Sequence, residues 1–333
     1  ILKEIKILQL YIMATRESES KYLAFGCSYT QYGYPTYADF IGQHFDRREN
    51  LGHSGAGNRY IFHKVVATIN TLKREKVKLT ENDLITIQWS GLPREDKILN
   101  KETRYPCAGY LGSQGEYEME YINRYFSLEQ NFFELVNYIN ILNDMFKTLP
   151  CQYRMFFMMD FDKPEFEDFY GEAFMSEDFN ERFGNIKNAG YFKELTRITP
   201  HNIQAIESYR IEHTMDKESP YCYSFRGEGG NEICDDTHPT PYSHYEYAKY
   251  LSSKLDVDVI NKNPIDYSSL FKHIDHMHSR ENVTALKAKG ITLNEIHNTW
   301  EEFNFKQDNI IELSRYRSSD ISEFLKNYRN ELI

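Results

Sequence analysis

The sequence predicts an α/β fold built on an open, mostly parallel sheet, and three observations carry that expectation. Short apolar runs alternate with amphipathic ones through the first half of the chain, which is the rhythm of strand-helix-strand units with right-handed crossovers. Met155-Phe156-Phe157-Met158-Met159 is apolar without alternation, as in a strand covered on both faces. Turn-forming, polar residues follow two of the expected strands at once, Gly26-Cys27-Ser28 after Phe25 and Ser90-Gly91 after Trp89. In open parallel sheets, reactive groups collect beyond these carboxyl ends.

The elements follow in order. Residues 1–20 read as an N-terminal extension, because Glu4 and Lys6 interrupt the apolar run and no small-residue cleavage site follows it. Tyr22 to Phe25 reads as a strand, Tyr37 to Phe45 as a helix, Asn50-Leu51 as a short strand end, Asn58 to Lys76 as a helix and Asp83 to Trp89 as a strand. Asn100 to Tyr125 reads as an insertion, with Gly109, Gly112 and Gly115 set among tyrosines, and Gly-rich aromatic loops suit shallow contact with a polymer. Ser127 to Leu149 carries one apolar helical stripe, Phe132, Leu135, Ile139, Leu142 and Phe146, and Arg154 to Asp160 reads as the fourth strand. Asp160 and Asp162 read as a helix cap rather than a metal pair, and Pro164 to Thr214 shows no clear period. The glycines of Arg226 to Asn231 open no helix and match no phosphate-binding pattern, so they are expected to let the backbone reach the next motif. His244 to Leu255 reads as a helix, and residues 257–333 form a charged, helical C-terminal extension.

Composition narrows the function classes. The chain of 333 residues carries a net charge of −11 and no Lys/Arg cluster, which argues against nucleic acid as a partner. No run approaches the roughly 18–20 apolar residues of a membrane span. Its 5 cysteines form no Cys-x-x-Cys pair, so neither a zinc site nor a disulfide framework is expected. His273, His276 and His278 lack a fourth partner and read as a solvated helix face rather than metal ligands. The setting expected is cytoplasmic or virion-associated. The 26 tyrosines and 22 phenylalanines fit either an aromatic core or surface rings stacked on sugars.

The residues that carry chemistry are Ser28 and the run Asp235-Asp236-Thr237-His238-Pro239. A serine hydroxyl needs a base within hydrogen-bond reach and a third group to fix the tautomer of that base. His238 and Asp235 supply those types three residues apart, and Ser28 follows a strand where backbone amides open toward a ligand.

Taken with three further blocks, this arrangement resembles the SGNH (GDSL-type) serine hydrolases. Gly26-Cys27-Ser28-Tyr29-Thr30 is similar to the nucleophile block, with Cys27 where the family usually has Asp. Asn50 to Asn58 is similar to the second block, with Gly55 at the oxyanion position, and Ile85 to Gly91 to the third, with Ser90 where the family has Asn. Asp235 to Pro239 is similar to the last. The resemblance spans residues 21–256 and implies a three-layer α/β/α sandwich of flavodoxin-like type. It implies Ser28, Asp235 and His238 as a catalytic triad, an oxyanion hole of Ser28, Gly55 and Ser90, and no cofactor or metal. Asn58, Trp89, Arg94 and Tyr110 are the expected substrate contacts. The implied substrate is a small acylated molecule or polysaccharide losing acyl, above all acetyl, groups. The C-terminal helices suit self-association or a protein partner. A catalytically weak or inactive glycan-binding or assembly protein is the alternative, motivated by Ser90 in place of Asn.

Overall fold

The structure is a computed structural model that describes residues 19–92, 94–96, 107–110, 127–159, 201, 203–214, 223–226, 232–235, 238–255, 284, 288 and 289. Among these residues the strands are β1 (Lys21–Phe25), β2 (Arg47–Asn50), β3 (Leu84–Trp89), β4 (Arg94–Asp96), β5 (Cys107–Tyr110), β6 (Gln152–Phe157), β7 (Tyr223–Arg226) and β8 (Glu232–Asp235). The helices are α1 (Tyr37–Gly42), α2 (Asn58–Arg74), α3 (Leu128–Phe146), the short α4 (Ile206–Tyr209) and α5 (Pro241–Lys254), with a π-helical turn, Arg210–Thr214, continuing α4. No helix among the described residues is long and apolar enough to cross a membrane.

The expected parallel sheet is present, with strand order β2-β1-β3-β6 and every pair parallel. Strand order reverses between β1 and β3, so the crevice beyond their carboxyl ends is where an open sheet of this kind binds ligands. Several boundaries differ from the sequence reading, among them α5, which begins at Pro241 rather than His244, and three carry a physical reason. The strand expected at Asn50-Leu51 begins at Arg47, and its charged Arg47, Arg48 and Glu49 hide an edge strand from any search for apolar runs. Helix α1 stops at Gly42 rather than Phe45, because the amides of Gln43, His44 and Phe45 turn to carbonyls three residues back and tighten the end. The fourth strand spans Gln152–Phe157, though Met158 extends its pairing by donating to the Trp89 carbonyl at 2.8 Å.

The register sorts the strand side chains onto two faces, since successive residues alternate. Leu23, Phe25, Ile85, Ile87, Trp89, Met155 and Phe157 share one, and Tyr22, Ala24, Thr86, Gln88 and Phe156 the other. On the second face Tyr37 of α1 and Tyr247 of α5 both meet the Phe156 ring, at 5.5 and 6.1 Å between centroids, and each other at 5.7 Å. Helices α2 and α3 pair separately, through a bidentate Arg59–Glu134 bridge and a Phe62–Tyr138 stack at 4.5 Å. The predicted stripe of α3 is buried, Phe132, Leu135, Ile139, Leu142 and Phe146 all being 2% exposed or less.

Two antiparallel pairs lie outside the sheet. β4 pairs with β5, which falls inside the stretch read as a plain insertion. β7 pairs with β8, so the glycines of residues 227–231 join two strands of a hairpin whose second strand ends at Asp235. The N-terminal extension up to residue 18, the remainder of the insertion, Asp160, Asp162 and the three histidines of the C-terminal extension lie outside the described residues.

Candidate active site

The Ser28 turn is built by the residues around it. At Gly26 a Cβ would stand 2.0 Å from Thr30 Oγ1, so only glycine lets the chain leave β1 this way. The Cys27 carbonyl then accepts the amides of Thr30 and Gln31 at 2.9 and 3.1 Å, closing one helical turn with Ser28 inside it. Ser28 is 2% exposed, and among the described residues nothing hydrogen-bonds its hydroxyl or its amide. Its two successors are anchored. The Tyr29 hydroxyl donates to Glu207 Oε2 at 3.2 Å, and the Thr30 hydroxyl donates to Gln88 Oε1 at 3.0 Å and lies 3.0 Å from the Tyr37 hydroxyl.

The second block clasps this turn. Asn50 Nδ2 donates to the Thr30 carbonyl at 2.6 Å, and the His53 amide donates to the Gly26 carbonyl at 3.0 Å. The chain then turns, with the Ala56 amide closing on the His53 carbonyl at 3.0 Å. Gly55 occupies the third position of that turn at φ 79°, a left-handed conformation that glycine adopts without strain. The Gly55 amide has no partner among the described residues. This brings Ser28 and Gly55 to the same edge of the sheet.

Ser90 joins them at the carboxyl end of β3. The Asn58 side chain brackets its peptide: Oδ1 accepts the Ser90 amide at 2.8 Å, and Nδ2 donates to the Ser90 carbonyl at 3.1 Å. The Ser90 amide is therefore committed. Its Oγ is buried without a hydrogen-bond partner among the described residues, so the hydroxyl is left able to donate to a ligand.

His238 lies just before α5, and its ring meets the residues that follow Ser28. Thr240 caps α5 by accepting the Ser243 amide at 3.1 Å, and Pro241 is pre-set for the first helical position, which fixes where the chain enters from His238. The Tyr34 hydroxyl holds the Pro239 carbonyl at 2.8 Å. The His238 ring stacks on Tyr32 at 4.1 Å and 21° and meets Tyr29 at 5.5 Å, so the residues just after Ser28 supply two of its contacts. Asp235 closes β8, opposite Tyr223 in register.

The expected substrate contacts separate. Trp89 is fully buried on the apolar face of the sheet, so its role is corrected from ligand contact to core. Asn58 and Arg94 line a common cleft with Arg59, Asp96, Asn131, Glu134 and Tyr138, but its volume of about 20 Å³ suits water rather than a sugar ring. Asn58 is occupied by Ser90, and Arg94 Nη1 donates to the Ala56 carbonyl at 3.1 Å beside Gly55, so both brace the chain around the Gly55 turn. Tyr110 pairs with Arg94 at the end of β5.

Three buried groups escaped the sequence reading. Asp96 caps α2 from outside the helix, its carboxylate accepting the Gly57 and Tyr60 amides at 2.8 and 2.9 Å. Burial pushes its carboxyl up to about 6, against the pull of those amides and of Arg94 and Arg59. The signal in the sequence was an absence, since Gly57 stands where a Ser, Thr, Asp or Asn cap would be expected. Glu207 and Arg210 form an ion pair with side chains 3% and 1% exposed, an i,i+3 spacing within the stretch that showed no period. His244 is fully buried against Tyr29, Tyr34 and Tyr37, with neither ring nitrogen hydrogen-bonded among the described residues. Burial first, and then the nearby His238 and Arg210, drive it down to about 3, so it stays neutral. Compared with known proteins, the chain matches no family model and no curated protein, and the site stands on its own geometry.

Proposed function

We propose that the protein is a serine esterase of SGNH type, with a three-layer α/β/α core, that removes small acyl groups, acetyl above all, from a carbohydrate. The observation that carries the reading is the meeting of the Ser28 turn and the His238 ring at the strand-order reversal, through the Tyr29 and Tyr32 contacts at 5.5 and 4.1 Å. In this reading Ser28 Oγ attacks the ester carbonyl as His238 takes its proton. Asp235 holds the imidazole in the useful tautomer. The amides of Ser28 and Gly55, uncommitted among the described residues, take the developing oxyanion, with the Ser90 hydroxyl as third donor. His238 returns the proton to the leaving alcohol, and water, activated the same way, releases the acid from the acyl-serine.

The test is hydrolysis of p-nitrophenyl acetate by the wild-type chain beside Ser28→Ala and His238→Ala, with fluorophosphonate labelling. Loss of labelling and a fall of roughly 10³-fold or more in rate for both variants is expected. A second reading, a non-catalytic glycan-binding module on the same fold, draws on the absence of a hydrogen bond between Ser28 and any described residue. Equal background signal from all three proteins sinks the catalytic assignment for simple esters and leaves glycan binding and assembly as the leading readings.

A further inference from the structure

Ser28 is followed by a side chain that the mechanism above does not use. Tyr29 is 2% exposed, so its orientation is set by the interior. Its hydroxyl reaches Glu207 Oε2 at 3.2 Å, its ring edge faces His244 at 6.4 Å and 86°, and its ring also lies against His238 at 5.5 Å. Glu207 is locked in turn. Arg210 Nε donates to Oε2 at 3.3 Å and Nη2 donates to Oε1, while the Glu207 amide donates to the Met158 carbonyl at 3.0 Å, just past the end of β6. Burying two charges is costly, and such pairs are best attested where they fix one arrangement among several. A π-helical turn opens at Arg210, a backbone form frequent beside functional sites.

We propose that Tyr29 is a positioning residue, which carries the fixed geometry of the Glu207–Arg210 pair both to the Ser28 turn, through the backbone, and to His238, through its ring. The proposal rests on the serine-esterase reading. It accounts for why an ion pair is sealed behind the turn: the hydroxyl of Tyr29 is the link between that pair and the two groups that must meet. Thr30 anchors the other side of the same turn on Gln88 and Tyr37, so Ser28 is held between two separate buried polar groups.

Tyr29→Phe removes the hydroxyl and keeps the ring volume. It is expected to lower kcat for p-nitrophenyl acetate about tenfold at unchanged KM, the rate equivalent of one hydrogen bond to a charged group. In proton NMR the ring resonances of His238, shifted by the Tyr29 and Tyr32 rings, should move toward those of a free histidine. Glu207→Gln combined with Arg210→Met, which strands no charge, should move them the same way. His238 resonances that stay at their wild-type positions in both variants overturn the proposal. If the wild-type chain shows neither turnover nor fluorophosphonate labelling, the esterase reading falls by itself, and the His238 resonances still decide whether Tyr29 positions that ring.

Discussion

The two faces of the central sheet are built from the same strands and are chemically unlike. One face is apolar at its centre, with Leu23, Phe25, Ile85, Ile87, Trp89, Met155 and Phe157, and carries Lys21, Glu49 and Tyr153 toward its margins. The other mixes in Tyr22, Thr86 and Gln88, and its helices add Tyr37 and the buried His244, whose ring nitrogens have no hydrogen-bond partner among the described residues. Apolar packing tolerates many arrangements of similar volume, whereas a buried polar group must find a partner in one direction. The difference teaches that the dry face holds the domain together, and the wet face aims the Ser28 turn through the bonds from Thr30 to Gln88 and from Tyr29 to Glu207.

The comparison is broken most directly at Ile87, fully buried in the central strand of the dry face. Ile87→Ala should cost roughly 2–5 kcal/mol in urea unfolding, with kcat per folded molecule unchanged. A smaller loss would mean that the dry face is not the main store of stability. The wet face should show itself next, in acid. His244 sits near 3 when folded and near its ordinary 6.5 when unfolded. Above about 6.5 neither state binds the proton; as pH falls below that, the unfolded chain takes it first, and stability drops by about 1.4 kcal/mol per pH unit down to about 3. His244→Leu should flatten that limb between pH 6.5 and 4.5, and parallel curves for the two proteins would remove His244 from the account. The smallest effect is expected at Tyr22, whose hydroxyl lies 2.8 Å from Thr86 Oγ1. Tyr22→Phe should cost about 1 kcal/mol, and Tyr22→Phe with Thr86→Val should recover most of it, since neither hydroxyl is then left unpaired.

What could be read from the sequence follows the same division. Helix α2 and the stripe of α3 announce themselves because burial repeats with the helical period, and β3 because it is one short run buried throughout. Gly26 and Gly55 are legible because each sits where a side chain would clash or a positive φ is required. Strand β2 is not, because an edge strand carries charge. Trp89 was misplaced because an aromatic residue beside a polar turn reads equally well as a ligand platform, and only the register shows that it points into the dry face. Asp96 is not legible as a site residue because the amides it holds lie 39 and 36 residues away, and the local Glu207–Arg210 pair is not because its tie to the site runs through Tyr29, 178 residues away.

The start of α2 shows what such distance entails. The Gly57 amide that opens the helix is held by an Asp96 oxygen 39 residues further on, and the Tyr60 amide by the other oxygen 36 residues on. No part of that cap exists in an isolated α2 segment. It forms only once the intervening chain has laid down β3 and closed a loop, at the entropic cost of bringing the ends of that loop together. The first turn of α2, and with it the Asn58 bracket around Ser90, is therefore a product of tertiary closure rather than of the helix's own sequence, and it comes undone whenever the short β4 strand lets go.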